Sequence, residues 1–262
     1  MPLSVERIRA AAERVHNELD RAIRTWTIFE ALNGVNESHR APLRRQISTS
    51  SEFQVFKLLE FSVVNSVILA LSRVVDRAPP AKSDRLTLDV IAFAVRDEDV
   101  LQRCCMDARA WNPGMCLEDH NEALVRRLFR KIERRTTDQG PHTRLSLFSV
   151  RKALKPIRDH VLAHSIDLPW TAPQLRMVRR FLIFCATLSR DGNLAIRGLE
   201  HDYRNLFESS LKQANEFWDS KELGMVAIRD ARTLENIMDL TAERAKARGL
   251  TPEIFHDVLK EK

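Results

Sequence analysis

Residues 153–165 read A-L-K-P-I-R-D-H-V-L-A-H-S and place an arginine, an acid and two histidines beside an apolar helical ridge. Apolar side chains recur here every three or four residues, the spacing that keeps them on one face of a helix. The ridge consists of Leu147, Val150, Leu154, Ile157 and Val161, and His164 takes its next position. At about 100° per residue, Arg158 lies about 120° around the helix from His164. We therefore expect a helix whose arginine and histidine flank a buried ridge.

Pro156 lies within this ridge helix. Proline has no N–H and clashes with the preceding turn, so the sequence predicts either a kink or a new helix beginning there. In both cases Arg158 and Asp159 lie in the first turn after the break. Two interpretations of His164 stay open: a core histidine with satisfied nitrogens beside a snorkelling arginine, or a functional group at the rim of a contact surface.

Composition predicts an all-α fold. The 262 residues include only 7 Gly and 1 Tyr, and runs of alternating β-branched residues are absent. Neither G-x-x-x-x-G-K-[ST] nor G-x-G-x-x-G occurs, which excludes these two phosphate-binding loops. We expect a helical bundle domain over residues 1–190 and a C-terminal helical extension over residues 191–262, where the pattern is weaker and more charged.

Caps and periodicity predict the other helices. The segment R-D-G-N at 190–193 should separate two of them. The helix over 51–77 is apolar on most sides but contains Lys57 and Glu60, so we expect it in the middle of the bundle and not across a membrane. The remaining helices are expected at about residues 4–33, 86–109 (one broken or two short), 117–136, 175–188, 194–218, 229–248 and 251–259.

Charge is concentrated in arginine. Basic residues outnumber acidic ones by 42 to 36, and 32 of the 42 are Arg. Helix 117–136 carries two rows at i,i+4 spacing, here called the basic stripe: Arg126, Arg130 and Arg134 in one row, and Arg127, Lys131 and Arg135 in the next. The stripe is either a solvated face partly offset by nearby glutamates or a track for a phosphate backbone.

Cysteine usage predicts a reducing compartment. Cys104, Cys105, Cys116 and Cys185 form no C-x-x-C pair, and the N-terminal residues show no signal-peptide pattern. We therefore expect a soluble, cytoplasmic protein without a membrane partner.

The R-x5-H spacing of Arg158 and His164, worded R-D-x-x-x-A-H-S, resembles the motif of the HEPN superfamily (higher eukaryotes and prokaryotes nucleotide-binding). The likeness is to its bacterial abortive-infection branch. L-S-R-V-V-D at Leu71–Asp76 and L-T-L-D at Leu86–Asp89 resemble that branch's second helix and its continuation, so the resemblance covers about residues 4–190. It implies a helical bundle that dimerises with its motif helices facing each other and, in many members, a metal-independent endoribonuclease.

By position, the resemblance makes Arg158 the motif arginine, Asp159 the polar residue after it and His164 the motif histidine. Histidine can exchange protons with the 2′-hydroxyl and the leaving 5′-oxygen of RNA, and arginine can hold two phosphate oxygens. A two-fold interface presents the same patch from both partners, so we expect a composite homodimer site with Arg158 and His164 from each subunit. Asp159 would orient its own arginine or the neighbouring imidazole.

RNA contacts are expected beside the motif and along the basic stripe. The expected RNA-binding residues are His160, Lys155, Arg126, Arg127, Arg130, Lys131 and Arg134. The resulting hypothesis is a toxin or phage-defence effector that an antitoxin or sensor protein restrains. No cofactor is expected.

Two rival hypotheses stay open. His160 and His164 have the i,i+4 spacing of zinc helices, but Val161 stands where a zinc protease has its glutamate. The candidate third ligands, which have no informative spacing, are His142, Asp159 and His201. Alternatively, the chain forms a non-catalytic helical dimer that binds RNA, a nucleotide or a protein partner, with His164 buried at its seam.

Overall fold

The computed structural model describes residues 4–33, 52–77, 85–137, 145–163 and 172–219, with backbone alone at 52–56, 160–163, 172–173 and 218–219. Within these ranges the chain forms eight α-helices and no strand, which confirms the predicted all-α fold. The helices are α1 (Val5–Leu32), α2 (Glu52–Val75), α3 (Leu88–Ala94), α4 (Glu98–Ala108), α5 (Glu118–Thr136), α6 (Leu147–Ala163), α7 (Ala172–Arg197) and α8 (Tyr203–Asp219).

Local capping sets several helix ends. The Ser4 hydroxyl accepts a hydrogen bond from the backbone N–H of Arg7 at the start of α1, and the Asn33 side-chain amide donates to the Phe29 carbonyl at its end. Thr87 and Asp97 cap α3 and α4, so the predicted region 86–109 forms two short helices. The predicted extents of α1, α2 and α5 are confirmed to within a few residues.

Helix α2 lies in the core. It packs mainly on α1 and α6, while α1 also packs on α7, and α5 packs on α4 and α7. Val64, Val67, Ile68 and Leu71 of α2 are fully buried. Among the described helices, α2 has the length and composition to cross a membrane over Lys57–Val75, but half of that stretch is buried inside the protein. It is therefore a core helix of the bundle, as its interrupted apolar pattern predicts.

The predicted helix break at 190–193 is wrong, because α7 continues through R-D-G-N to Arg197. The Asn193 side chain donates hydrogen bonds to the carbonyls of Ala12 and Ser189, and buried Asp191 lies in ion pairs. Gly192 packs closely against Ile91, where a Cβ would lie 3.3 Å from an Ile91 methyl group. Tertiary contacts thus keep these poor helix formers helical.

Pro156 lies inside α6, so the predicted alternative of a new helix beginning there is wrong. Pro156 and Lys152, whose carbonyl would have paired with the missing N–H, are both exposed. Solvent can therefore satisfy that carbonyl. Leu154 and Ile157 on the opposite side are buried and hold the helix together across the proline.

The chain divides into two compact units, Met1–Ala214 and Asn215–Lys262. The predicted division into residues 1–190 and 191–262 stays a prediction. The helices predicted at 229–248 and 251–259 lie outside the described residues.

Candidate functional site

The motif arginine is held between two carboxylates. Arg158 Nε and Nη2 donate to Asp159 Oδ1 at 3.1 Å and 2.9 Å, and Nη1 lies 3.9 Å from Asp76 Oδ1. The Arg158 side chain is 30% exposed. The guanidinium is therefore oriented by acidic neighbours while part of it stays open to solvent, where an anionic ligand can reach it.

Asp76 links the two segments that carry the family resemblance. It follows the last residue of α2, and its Oδ2 accepts a hydrogen bond from Arg85 Nη1 at 3.0 Å. The Thr87 hydroxyl donates to the Asp76 carbonyl at 3.1 Å. Leu71–Asp76 and Leu86–Asp89 thus meet beside the motif helix.

Arg151 fastens α6 to the same junction. Its Nε donates to the Val75 carbonyl and its Nη2 to Asp89 Oδ1, both at 2.7 Å. Arg151 precedes Arg158 by seven residues, about two helical turns, so both arginines leave the same face of α6. Sequence reasoning missed Asp76, Arg85 and Arg151. Two features of the sequence could have indicated them: the seven-residue spacing of Arg151 and Arg158, and the aspartates that end V-V-D and L-T-L-D.

The ridge of α6 is buried as predicted over its described part. Leu147, Val150, Leu154 and Ile157 all pack in the core. His164 lies outside the described residues, and so do the side chains of His160 and Val161. The roles expected of His160 and His164 stay predictions. Lys155 is exposed on α6, three residues before Arg158.

The first row of the basic stripe faces outward. Arg126 pairs with Glu122 at 3.0 Å, and the pKa of Arg126 is raised by that hydrogen bond. Arg130 and Arg134 are exposed, and the Nε of each donates to the carbonyl one turn earlier. A cavity of about 520 Å³ opens between this row and the α3–α4 turn, lined by Val95, Arg96, Asp97, Glu98, Leu101, Arg126, Phe129, Arg130 and Glu133.

The second row is divided. Arg127 is exposed, but Lys131 Nζ lies 2.7 Å from Asp191 Oδ2, and Arg135 Nη1 lies 3.8 Å from the same atom. Asp191 is buried in α7, and Arg190 also pairs with it. Lys131 and Arg135 therefore hold α5 against α7.

The described cysteines and histidines outside the motif form no metal or nucleophile site with the spacing considered above. Burial raises the pKa of Cys104 to about 11, which keeps this thiol protonated at neutral pH. His201 stacks on His16 with the ring centroids 3.6 Å apart, and His142 lies outside the described residues. Across the described ranges, no three His, Cys, Asp or Glu side chains form a group suited to a metal ion.

The chain belongs to the HEPN AbiU2 family of abortive-infection proteins: the family's sequence profile, described as AbiU2, matches residues 6–217. This confirms the resemblance and extends the match into α8. No curated protein and no solved structure matches the chain significantly.

Proposed function

We propose that this abortive-infection HEPN protein is a metal-independent endoribonuclease that acts in the cytoplasm as a toxin or phage-defence effector. The observation that carries the proposal is the placement of the Arg158 guanidinium. It donates two hydrogen bonds to Asp159 through Nε and Nη2, while 30% of the Arg158 side chain stays open to solvent. A permanently charged, oriented fork suits a phosphate whose negative charge increases during reaction.

The proposed reaction is attack of the RNA 2′-hydroxyl on the adjacent phosphorus. The hydroxyl proton passes to one imidazole, the new O–P bond forms, and the 5′-oxygen leaves with a proton from a second imidazole. The products are a 2′,3′-cyclic phosphate and a 5′-hydroxyl. Arg158 stabilises the charge on the phosphorus centre, Asp159 keeps the arginine aligned, and His164 provides the imidazole.

A homodimer would supply both proton-transfer groups. One chain has one motif histidine, whereas two chains related by a two-fold axis bring two copies of Arg158 and His164 together. Lys155 and the outward row of the basic stripe would add positive potential along the bound strand. A toxin of this kind has to be restrained, so we also propose an antitoxin or sensor protein as a partner.

Incubation of the full chain with total cellular RNA, with and without EDTA, tests the proposal. We expect the wild type to cleave in both conditions, and Arg158→Ala and His164→Ala to cleave at least 10²-fold more slowly with unchanged circular dichroism. Arg204→Ala, which removes an exposed arginine on α8, is the matched control and should cleave like the wild type.

Three outcomes would reject the proposal. Cleavage by both the Arg158→Ala and the His164→Ala variant at the wild-type rate would show that these residues are not catalytic. Loss of wild-type cleavage in EDTA indicates a metal site. RNA binding without any cleavage indicates the non-catalytic helical dimer.

A further inference from the structure

A second arginine-lined cleft lies next to the motif arginine. Its volume is about 240 Å³, and three chain segments each contribute one arginine to it: Arg14 from α1, Arg73 from α2 and Arg85 from the residues before α3. The buried side chains of Val15 and Val74 lie beneath these arginines. The cleft is thus a polar depression over the junction of α1 and α2.

Asp76 connects this cleft to the motif. It lines the cleft, pairs with Arg85 at 3.0 Å, and lies 3.9 Å from Arg158 Nη1. Arg85 and Arg158 therefore contact the same carboxylate from two sides. The cleft therefore borders the motif arginine, with Asp76 between them.

The cleft has donors suited to a phosphodiester. Arg73 and Arg85 are about 60% exposed, and Arg14 is also exposed. Arg73 Nε donates to the Leu69 carbonyl at 3.3 Å and lies 4.0 Å from Glu18 Oε2. The Thr87 hydroxyl is already used, since it accepts from the Asp89 N–H and donates to the Asp76 carbonyl.

The charge balance favours a singly charged group. The lining has three guanidinium groups against the carboxylates of Glu18 and Asp76, a surplus of one positive charge. A bridging phosphodiester carries one negative charge, so it neutralises the cleft. Guanidinium forks recognise phosphate oxygens without reading the base, so a strand of any sequence can bind.

We propose that this cleft is a substrate subsite, in which Arg14 and Arg73 bind the RNA phosphodiester next to the one that is cleaved. This inference rests on the proposed ribonuclease function. In this proposal the cleft binds the RNA backbone, and the bound strand runs from α6 across the end of α2 to α1.

The test uses a 2′-O-methyl RNA oligonucleotide, which binds but has no 2′-hydroxyl to react. Binding of the full chain is measured by fluorescence anisotropy at several salt concentrations. We expect the double variant Arg14→Ala, Arg73→Ala to bind about tenfold more weakly than the wild type, with a salt slope lower by about 0.7, the value for one phosphate of a single strand. The control double variant Arg24→Ala, Arg204→Ala removes the same charge outside the cleft and should bind within about twofold of the wild type.

Circular dichroism checks that both double variants are folded. Equal affinities of the cleft and control variants would overturn the subsite, even if the wild type cleaves RNA. If the wild type does not cleave unmodified RNA but only the cleft variant loses affinity, the nuclease function fails, and the cleft is an RNA-backbone site without a cleavage subsite. Failure of the wild type to bind the 2′-O-methyl RNA would also overturn the subsite.

Discussion

Asp76 at the end of α2 faces Arg158 on α6, with Oδ1 of the aspartate 3.9 Å from Nη1 of the arginine. The other carboxylate oxygen accepts a hydrogen bond from Arg85, and Asp159 holds the opposite edge of the Arg158 guanidinium. The motif arginine is thus positioned from a second helix as well as from its own. We propose that Asp76 is a positioning residue that acts through Arg158 and Arg85.

The substitution Asp76→Asn tests this role. We expect kcat for RNA cleavage to fall about tenfold, because Arg158 loses one of its two orienting charges. KM should not rise, because a negative charge near the phosphate is removed. Steady-state kinetics separate the two constants, with Glu208→Gln on exposed α8 as the control. A rise in KM at unchanged kcat would argue against positioning.

Arg151 should matter for stability. Arg151→Ala removes hydrogen bonds to the Val75 carbonyl and the Asp89 carboxylate at a partly buried position. We expect the free energy of unfolding to fall by about 2–3 kcal/mol in urea denaturation. Lys152→Ala, at the exposed neighbouring position, should change it by less than about 0.5 kcal/mol. Similar losses for both variants would count against this junction.

Lys131 and Arg127 of the second row should behave differently. Lys131→Ala leaves the buried Asp191 carboxylate with fewer partners, so we expect a loss of about 1–3 kcal/mol in the free energy of unfolding. Arg127→Ala should leave stability unchanged and weaken RNA binding about threefold. Thermal unfolding and anisotropy measure both effects. Weaker RNA binding by a fully stable Lys131→Ala protein would show that Lys131 contacts RNA instead.

Stability should fall at acidic pH because of two stacked histidines. Burial lowers the pKa of both His16 and His201 from 6.5, and nearby Arg197 lowers both further. Asp20 raises the pKa of both histidines, and Glu13 raises that of His16. The unfolded chain therefore binds more protons than the folded one below about pH 6.5. The stability that depends on neutral His16 and His201 is fully present above pH 6.5 and is lost as the pH falls toward the pKa values of the folded protein.

Urea denaturation between about pH 7.5 and pH 5 measures this dependence. We expect a shallower pH dependence in His201→Gln than in the wild type, whatever its overall stability. His120→Gln, at an exposed position, should keep the wild-type slope. Identical slopes in all three proteins would show that the His16–His201 stack does not titrate on unfolding.

The sequence predicted elements whose signals are local. The Ser4 cap, the apolar stripe of α1 and the ridge from Leu147 to Ile157 appear as expected, because each depends on periodicity or on a neighbour within one turn. The expected break at R-D-G-N failed for the opposite reason. Asp191 pairs with Lys131, sixty positions away, and the Asn193 side chain donates to the Ala12 carbonyl on α1.

The candidate site shows the same division. Asp159 could be named from the sequence because it follows Arg158 directly, and its contact with that arginine is local. Asp76 and Arg85 could not, because their approach to Arg158 depends on how α2 and α6 pack. Patterns within one helix do not determine such packing.

A mixed dimer tests the composite ribonuclease site most directly. The wild-type chain and a chain carrying both Arg158→Ala and His164→Ala are co-expressed with different tags, and the mixed dimer is purified and assayed for RNA cleavage. Such a dimer has one Arg158 and one His164, both on the same chain, so we expect cleavage at least 10²-fold slower than by the wild-type dimer, because the second imidazole is missing. Cleavage by the mixed dimer at about half the wild-type rate would contradict the account, because each chain would then carry a complete site of its own.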